Sequence, residues 1–480
     1  MLAISNNNNK FAAFLLIASI LQGLIWVIII PPFQDPDEPA HFASVQHLCE
    51  NGSVRPPGTS HQYSRELHKS MDLLKLHEIK FNSTSTFYFS KEEEKANLAK
   101  INEIPHSERN EPSGDFNPAG HYPPAYYLLG SLGYLAFYDS NIIDRVGGVR
   151  LISVLITSLS IMVTYLMARV FFEEDIVSVR SASCLMLFHP MYAYVGSCVN
   201  CDSMLCFVST FYLLLQVIMV KKGVSWRLQA GICICIAIGL LTKPTFAALI
   251  PVWFLAFFIS CRRNATAKKQ VLSHLLFIFT ILITTVVLYS KLGKEHLQIY
   301  LNAIEMGQND QSLSFLQYME ITFLNLIRPW STMGKRILTS YWANFGWKDS
   351  PFQFFGIYLF ALGITIIAVI LVITRIRKST IPWYSEQNGL ISFTLLCIGL
   401  FSLGIIIIGY SIAHQAWESG NLQGRYFFPT LSLHMVLLTA GLIHPIKSQR
   451  AKGMMAFLTV GALFVWHVAS FAIVLKRFYL

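Results

Sequence analysis

The run Pro36-Asp37-Glu38-Pro39-Ala40-His41 places two adjacent carboxylates and an imidazole directly after an uncharged apolar segment, Phe11 to Ile30. Carboxylates take protons and bind hard cations, and an imidazole four positions beyond Asp37 shares its helical face. The same run reads as helix-start grammar, with Asp35 as cap, Pro36 in the first position and Glu38 closing a capping box. That grammar leaves Asp37 without a structural task. Further on, Val199-Asn200-Cys201-Asp202 sets a second carboxylate in a turn between two apolar spans, where Asn and Asp are also ordinary turn residues. Lys243, in Thr242-Lys243-Pro244, and Arg425, in Gln423-Gly424-Arg425-Tyr426-Phe427, are cations isolated between apolar stretches. They either snorkel to lipid headgroups or meet an anion. His121-Tyr122-Pro123-Pro124-Ala125-Tyr126 adds an imidazole and two phenols at another helix start. Asp37 and Asp202 together suit a divalent cation, Mg or Mn, or the polarising of a nucleophile. Lys243 and Arg425 facing them suit a phosphate-bearing lipid.

The elements that must position these residues are membrane spans. Of 480 residues, 54% are hydrophobic and 13% charged, and mean hydropathy is +0.48, a balance outside the range of soluble domains. Apolar segments fall at about 11–30, 149–171, 182–199, 203–220, 228–242, 245–260, 271–290, 353–373, 388–410, 428–443 and 454–475. The expectation is an all-α integral membrane bundle of about 11 spans in one polytopic domain covering residues 1–480. Phe11 to Ile30 is a retained signal anchor, since no small-residue cleavage pattern follows it. The net charge of +10 reports orientation before it reports a partner. Lys221, Lys222 and Arg227, then Arg262, Arg263, Lys268 and Lys269, then Arg375, Arg377 and Lys378, then Lys447, Arg450 and Lys452 must share the cytoplasmic side. With the amino terminus also cytoplasmic, this holds only if Pro123 to Phe137 does not cross and lies as an interfacial or re-entrant helix on the outer face. Asp37, Asp202, Lys243 and Arg425 then all face outward.

Two long outer segments remain, 31–148 and 291–352. Residues 50–120, with Glu92-Glu93-Glu94, Pro105, Pro112 and Pro118, read as largely irregular around juxtamembrane helices. Leu297, Tyr300, Leu301 and Ile304 have helical spacing, and Tyr341, Trp342, Phe345 and Trp347 read as aromatics at the membrane interface. The nine cysteines, scattered mostly in apolar segments, read as small core residues. Nothing supports nucleic-acid binding.

Pro31-Pro32-Phe33 with Pro36 to His41, His121-Tyr122-Pro123-Pro124, Asn200-Cys201-Asp202, Thr242-Lys243-Pro244 and Gln423 to Phe427 followed by Pro429 resemble, in order and spacing, a bacterial family of polytopic membrane proteins of unknown function. That family is similar to the GT-C glycosyltransferases, which include protein mannosyltransferases and the aminoarabinose transferase of lipid A. The resemblance implies a GT-C-like bundle in the bacterial inner membrane, moving a sugar from a polyprenyl-phosphate carrier to a glycan, lipid or protein acceptor on the extracytoplasmic face. Inversion at the anomeric carbon and a place in cell-envelope glycan or glycoprotein synthesis come with it. It implies that Asp37, with Glu38 and His41, is the base or orients the acceptor hydroxyl, and that Asp202 positions the acceptor or a metal. It implies that Lys243 and Arg425 neutralise the leaving phosphate, with Asn200, His121, Tyr122, Tyr126 and Tyr426 around the substrate. Relatives often place a Lys where Tyr122 stands. A transporter or flippase of lipid-linked sugars is the rival reading, but transporters usually hold ionisable groups at the bilayer midplane, whereas here they gather at one face.

Overall fold

The first apolar segment forms α1 (Asn6–Ile29), and after an eight-residue loop the acidic motif enters α2 (Glu38–Asn51). In this computed structural model the described residues are 6–52, 62–82, 90–120, 122–263, 275, 278–279, 328–379, 386–413 and 422–480. The outer segment continues with β1 (Gln62–Ser64), α3 (Arg65–Leu73), α4 (Leu76–Ile79), α5 (Lys91–Asn102), β2 (Pro112–Phe116) and α6 (Ala125–Ala136). The bundle follows: α7 (Ile142–Phe172), α8 (Ile176–Leu187), α9 (Pro190–Val195), α10 (Asp202–Lys222), α11 (Trp226–Leu240) and α12 (Ile250–Arg263). Then come α13 (Thr332–Trp342), a hairpin of β3 (Asn344–Phe345) and β4 (Ser350–Pro351), α14 (Gly356–Lys378), α15 (Glu386–Ala413), α16 (Leu431–Leu442) and α17 (Gln449–Tyr479).

Seven helical runs among the described residues are long and apolar enough to cross a membrane: Asn9–Ile29, Ile142–Phe172, Asp202–Lys222, Pro244–Arg262, Gly356–Lys378, Gly389–Ile408 and Gln449–Tyr479. The α8–α9 pair, α11 and α16 are shorter, yet their ends alternate between the same two poles. Asp175, at the start of α8, bonds His444 (2.8 Å) and Lys452 (2.7 Å) past the end of α16, while Val199, beyond α9, bonds Glu38 after α1 (2.9 Å). The expected span 182–199 is therefore two helices, because Pro190 cannot continue α8 and His189 caps α9 instead. Most of the expected span 271–290, and the helical spacing at Leu297 to Ile304, lie outside the described residues.

At twelve residues, α6 reaches about 18 Å, short of the roughly 30 Å hydrocarbon core. It lies along α7, where Gly133 and Gly148 bring the two backbones together: a Cβ on either glycine would strike the other's carbonyl oxygen. Backbone cannot yield as a flexible side chain can. Gly148→Val is therefore expected to cost about 1–3 kcal/mol or more, read as a lower midpoint of thermal unfolding in detergent.

Residues 62–82 and 90–120 correct the expectation of an irregular loop. Leu67, Met71, Leu74, Leu76 and Ile79 are all buried, and Ser64 and Ser90 cap α3 and α5 through Leu67 N and Glu93 N (both 3.1 Å). Glu66 and Glu50 are buried with Arg145 and Arg109: Arg145 pairs with Glu66 and donates to the Tyr134 hydroxyl (2.5 Å), which donates to Glu50 (2.5 Å). Sequence periodicity gave no sign of this knot, because its members come from α2, α3, α6, α7 and the turn at Arg109. The aromatic run is also core and not interface. Trp342, Phe345 and Trp347 are buried, Trp342 stacking on His189 (5.0 Å) and Trp466 (5.3 Å), and Phe345 packing on Trp26 (5.6 Å).

Candidate functional site

The site forms at the pole where α1 ends and α10 begins. Two non-glycine residues of the loop after α1, Phe33 (φ 66°) and Asp37 (φ 69°), sit in the left-handed region, a costly conformation that the surroundings must enforce. Glu38 and Arg150 enforce it. Glu38 is fully buried; its Oε1 accepts from Arg150 Nε (2.8 Å) and Val199 N (2.9 Å), and its Oε2 from Arg150 Nη2 (2.7 Å) and Phe33 N (2.9 Å). Arg150 spends its other donors on the carbonyls of Ile30 (2.6 Å) and Pro31 (2.9 Å). This overturns the capping-box reading. The residue at the cap of α2 is Asp37, whose side chain caps nothing, and Glu38 is committed to Arg150 instead of to chemistry.

Freed from capping, Asp37 turns to Arg425: its Oδ2 accepts from Nη2 at 3.0 Å, and the two residues lie 388 positions apart in the chain. The Asp37 side chain is 48% exposed and that of Arg425 4%, so the carboxylate faces open space while the cation is held beneath it. Burial works against the Asp37 charge, but Arg425, with Lys348 and Lys243, more than offsets it and holds the carboxyl below its ordinary value. Lys243 Nζ donates to Asp202 Oδ1 at 2.6 Å, both side chains being nearly buried, and lies 5.3 Å from the Tyr122 ring and 5.8 Å from that of Tyr426. Burial alone would lower the Lys243 pKa; Asp202 chiefly holds it above the usual range. Asn200 Oδ1 accepts from Asp202 N (2.9 Å) and sets the turn that aims this carboxylate. Each pair acts electrostatically on the other, since Asp202 stabilises the Arg425 charge and Lys243 that of Asp37.

His41 is buried, stacks on Tyr122 (5.6 Å) and pairs through Nδ1 with the Tyr127 hydroxyl (2.9 Å); burial pushes its pKa down to about 4, so it is a neutral wall residue. Tyr126 bonds Ser153 (2.8 Å), fully buried, and serves packing. His121 lies outside the described residues. Asp37, Asp202, Lys243, Arg425, Tyr122, Tyr426 and Asn200 thus converge, while Glu38 and Tyr126 support them from behind.

Sequence reasoning missed two groups, Asp35 and Lys348, and the unfilled nitrogens of Arg425. Asp35, read as a cap, is fully buried; neither oxygen has a hydrogen-bond donor among the described residues, and burial pushes its carboxyl well above the usual range against the pull of Arg425. Arg425 keeps Nε and Nη1 buried with no hydrogen-bond partner among the described residues. Lys348, in the β3–β4 hairpin, acts on Asp37 as well, and its signal was a single lysine beside the aromatic run. The two tentative metal ligands do not fit a divalent ion as they stand, because Asp37 and Asp202 are each already met by a cation, and no group of three His, Cys, Asp or Glu gathers among the described residues. What the arrangement offers is an exposed carboxylate beside guanidinium N–H donors with unfilled capacity, a setting for an anion and a hydroxyl together. Behind α13 lies an apolar cavity of about 280 Å3 lined by Ile337, Leu338, Leu362, Val369, Ile398 and Leu437. Gly424, next to Arg425, packs so tightly on the α13 backbone that a Cβ there would strike Ile337 O and Tyr341 N.

Residues 20–434 match a family model described as predicted membrane protein, DUF2142. No curated protein matches the chain. Among solved structures, ArnT from Cupriavidus metallidurans bound to undecaprenyl phosphate is 15% identical, with 89% of this chain and 77% of that one covered and a TM-score of 0.39. The archaeal oligosaccharyltransferase AglB from Archaeoglobus fulgidus, in complex with an inhibitory peptide and a dolichol-phosphate, is 12% identical, with 98% and 56% covered and a TM-score of 0.49.

Proposed function

We propose, from the premise that this chain belongs to the DUF2142 family of predicted membrane proteins, that it is a membrane glycosyltransferase using a polyprenyl-phosphate-linked sugar. The observation that carries the reading is the Asp37–Arg425 pair, an exposed carboxylate over a buried guanidinium with two unfilled nitrogens. The acceptor hydroxyl donates to Asp37. As the bond from the anomeric carbon to the phosphate oxygen breaks, charge grows on that phosphate, and Arg425 Nε and Nη1, with Lys243 behind them, receive it. The hydroxyl proton passes to Asp37 as the new bond forms on the opposite face of the sugar, with inversion. Asp202 keeps Lys243 charged and placed, and Tyr122 and Tyr426 enclose its ammonium. The apolar cavity behind α13 is the place for the prenyl chain. We assign the site to the extracytoplasmic face of the bacterial inner membrane, from the basic residues gathered at the opposite pole.

The test uses the purified full chain in nanodiscs with undecaprenyl phosphate as the probe. Arg425→Lys keeps the charge but loses the fork, and is expected to weaken binding about tenfold, the worth of one charge-assisted hydrogen bond. Unchanged affinity would remove Arg425 from the phosphate site. Donor translocation without sugar transfer would replace the reading with carrier transport.

A further inference from the structure

Two lysines near Asp37 remain outside the chemistry just described. Lys80 follows α4, and Lys348 lies in the β3–β4 hairpin with φ 68°, a left-handed position that lysine seldom takes. Arg477, at the end of α17, clamps their two segments together: its Nη2 donates to the carbonyls of Ile79 (3.0 Å) and Asn82 (2.8 Å) on the Lys80 side and to Asp349 Oδ2 (2.9 Å) on the Lys348 side. Lys80 Nζ then lies 4.0 Å from the centre of the Trp347 ring, the residue before Lys348, and Phe81 packs edge-on against the same ring (5.5 Å). The hairpin is also tied to the acidic loop. Gly346 N donates to the Tyr194 hydroxyl (3.0 Å), which donates to Gln34 O (3.1 Å), next to Asp35.

Both lysines are half-buried, and neither has a carboxylate partner or hydrogen bond among the described residues. Both act electrostatically on Asp37, and Lys348 also faces Arg425 and Arg336. Burial first, and then the neighbouring Arg425 and Arg336 charges, push the Lys348 pKa down to about 8 against the pull of Asp37 and Asp35. Within the site Asp37 is paired with Arg425 and Asp202 with Lys243, and burial pushes the Asp35 carboxyl well above the usual range. Lys80 and Lys348 are thus two cations without a carboxylate partner among the described residues, clamped in place and half withdrawn from water. Cations held this way without a partner are costly unless a ligand supplies the counter-charge.

We propose that the lipid carrier is a diphosphate, and that Lys80 and Lys348 form the subsite for its second phosphate, the one on the far side from the sugar. This rests on the glycosyltransferase reading and narrows its donor class. A sugar joined through one phosphate to a lipid brings a single negative charge, which Arg425 with its unfilled nitrogens can meet alone; a diphosphate bridge brings two. In transfer, the bond from the anomeric carbon to the proximal phosphate oxygen breaks and both electrons stay on that oxygen. The acceptor oxygen bonds the carbon, and its proton goes to Asp37. The departing lipid diphosphate gains one further negative charge, which the Lys80–Lys348 pair offsets together with Arg425.

Undecaprenyl phosphate and undecaprenyl diphosphate, each titrated against the full chain in nanodiscs at fixed salt, test this. Wild type is expected to bind the diphosphate at least about tenfold more tightly than the monophosphate, as befits one or two added charge-assisted contacts. Lys348→Asn, which tolerates the left-handed backbone, and Lys80→Gln should each reduce that ratio toward one by weakening the diphosphate more than the monophosphate, a pattern that misfolding does not produce. Equal wild-type affinity for the two carriers would overturn the diphosphate subsite while leaving the transferase reading standing. Binding of neither carrier would overturn both.

Discussion

Asp37→Asn should lower the rate of sugar transfer by about 10²–10⁴, the usual worth of a positioned acid or base, while carrier binding is kept or strengthened. The asparagine preserves shape and can still accept from the acceptor hydroxyl, but it cannot take the proton. It also releases Arg425 from its carboxylate, so undecaprenyl phosphate should bind at least as tightly as in wild type. A structural role for Asp37 predicts the opposite, a fall in affinity and rate together as the pole loosens. Single-turnover rates and carrier titrations on the same preparation separate the two, and an unchanged rate removes Asp37 as base. The pH profile carries a second signature. Because the folded pKa lies below the ordinary 3.8, Asp37 stays charged above that value and yields no acidic limb near neutrality. The charged pair with Arg425 likewise contributes stability above 3.8 that is lost only as pH falls through the folded value. A carboxylate held this low is a weak base toward a resting hydroxyl, so its part comes late, when the forming bond has made that proton acidic.

The largest effect on folding is expected at Glu38. Glu38→Gln and Arg150→Met each leave a buried partner uncompensated, at about 3–5 kcal/mol, a large share of the 5–15 kcal/mol margin typical of folded proteins. Glu38 also satisfies the buried N–H groups of Phe33 and Val199, so the loop after α1 loses its tether to the segment after α9 as well. Thermal unfolding in detergent should show both single variants well below wild type. Replacing both residues by apolar ones of similar volume should recover part of the stability, as buried ion pairs commonly allow. Activity should not return with it, because the left-handed positions at Phe33 and Asp37 then have nothing to hold them and Asp37 no longer sits over Arg425. A Glu38→Gln variant with wild-type stability would show that the loop is held by something else.

The membrane bundle was legible because apolar length is a local property: about 20 uncharged residues announce a span wherever they fall. The positive-inside pattern likewise put Asp37, Asp202, Lys243 and Arg425 at one pole without any coordinates. Local reasoning failed where partners were distant. Asp35 and Glu38 fit a capping box by spacing alone, and only Arg150, 112 positions away, drew Glu38 out of it. The segment 50–120 looked irregular because its buried faces are short and its elements close on partners far along the chain, β1 on β2 with Gln62 opposite Phe116, and Glu66 on Arg145. Tyr341 to Trp347 looked interfacial because aromatic composition is the same at a membrane boundary and in a core.

By itself, then, the amino-acid order determined that this is a helical membrane protein, which pole holds its isolated charges, and which of those charges lack a local explanation. Tertiary structure alone decided the pairings: Asp37 with Arg425, Asp202 with Lys243, Glu38 with Arg150, and Lys80 brought beside Lys348 by Arg477. The reason is physical. Hydrophobic period and turn chemistry act over a few residues and leave their mark in the chain, whereas a buried charge is settled by whichever opposite charge the packed helices bring within about 3–4 Å, and no local pattern records that distance.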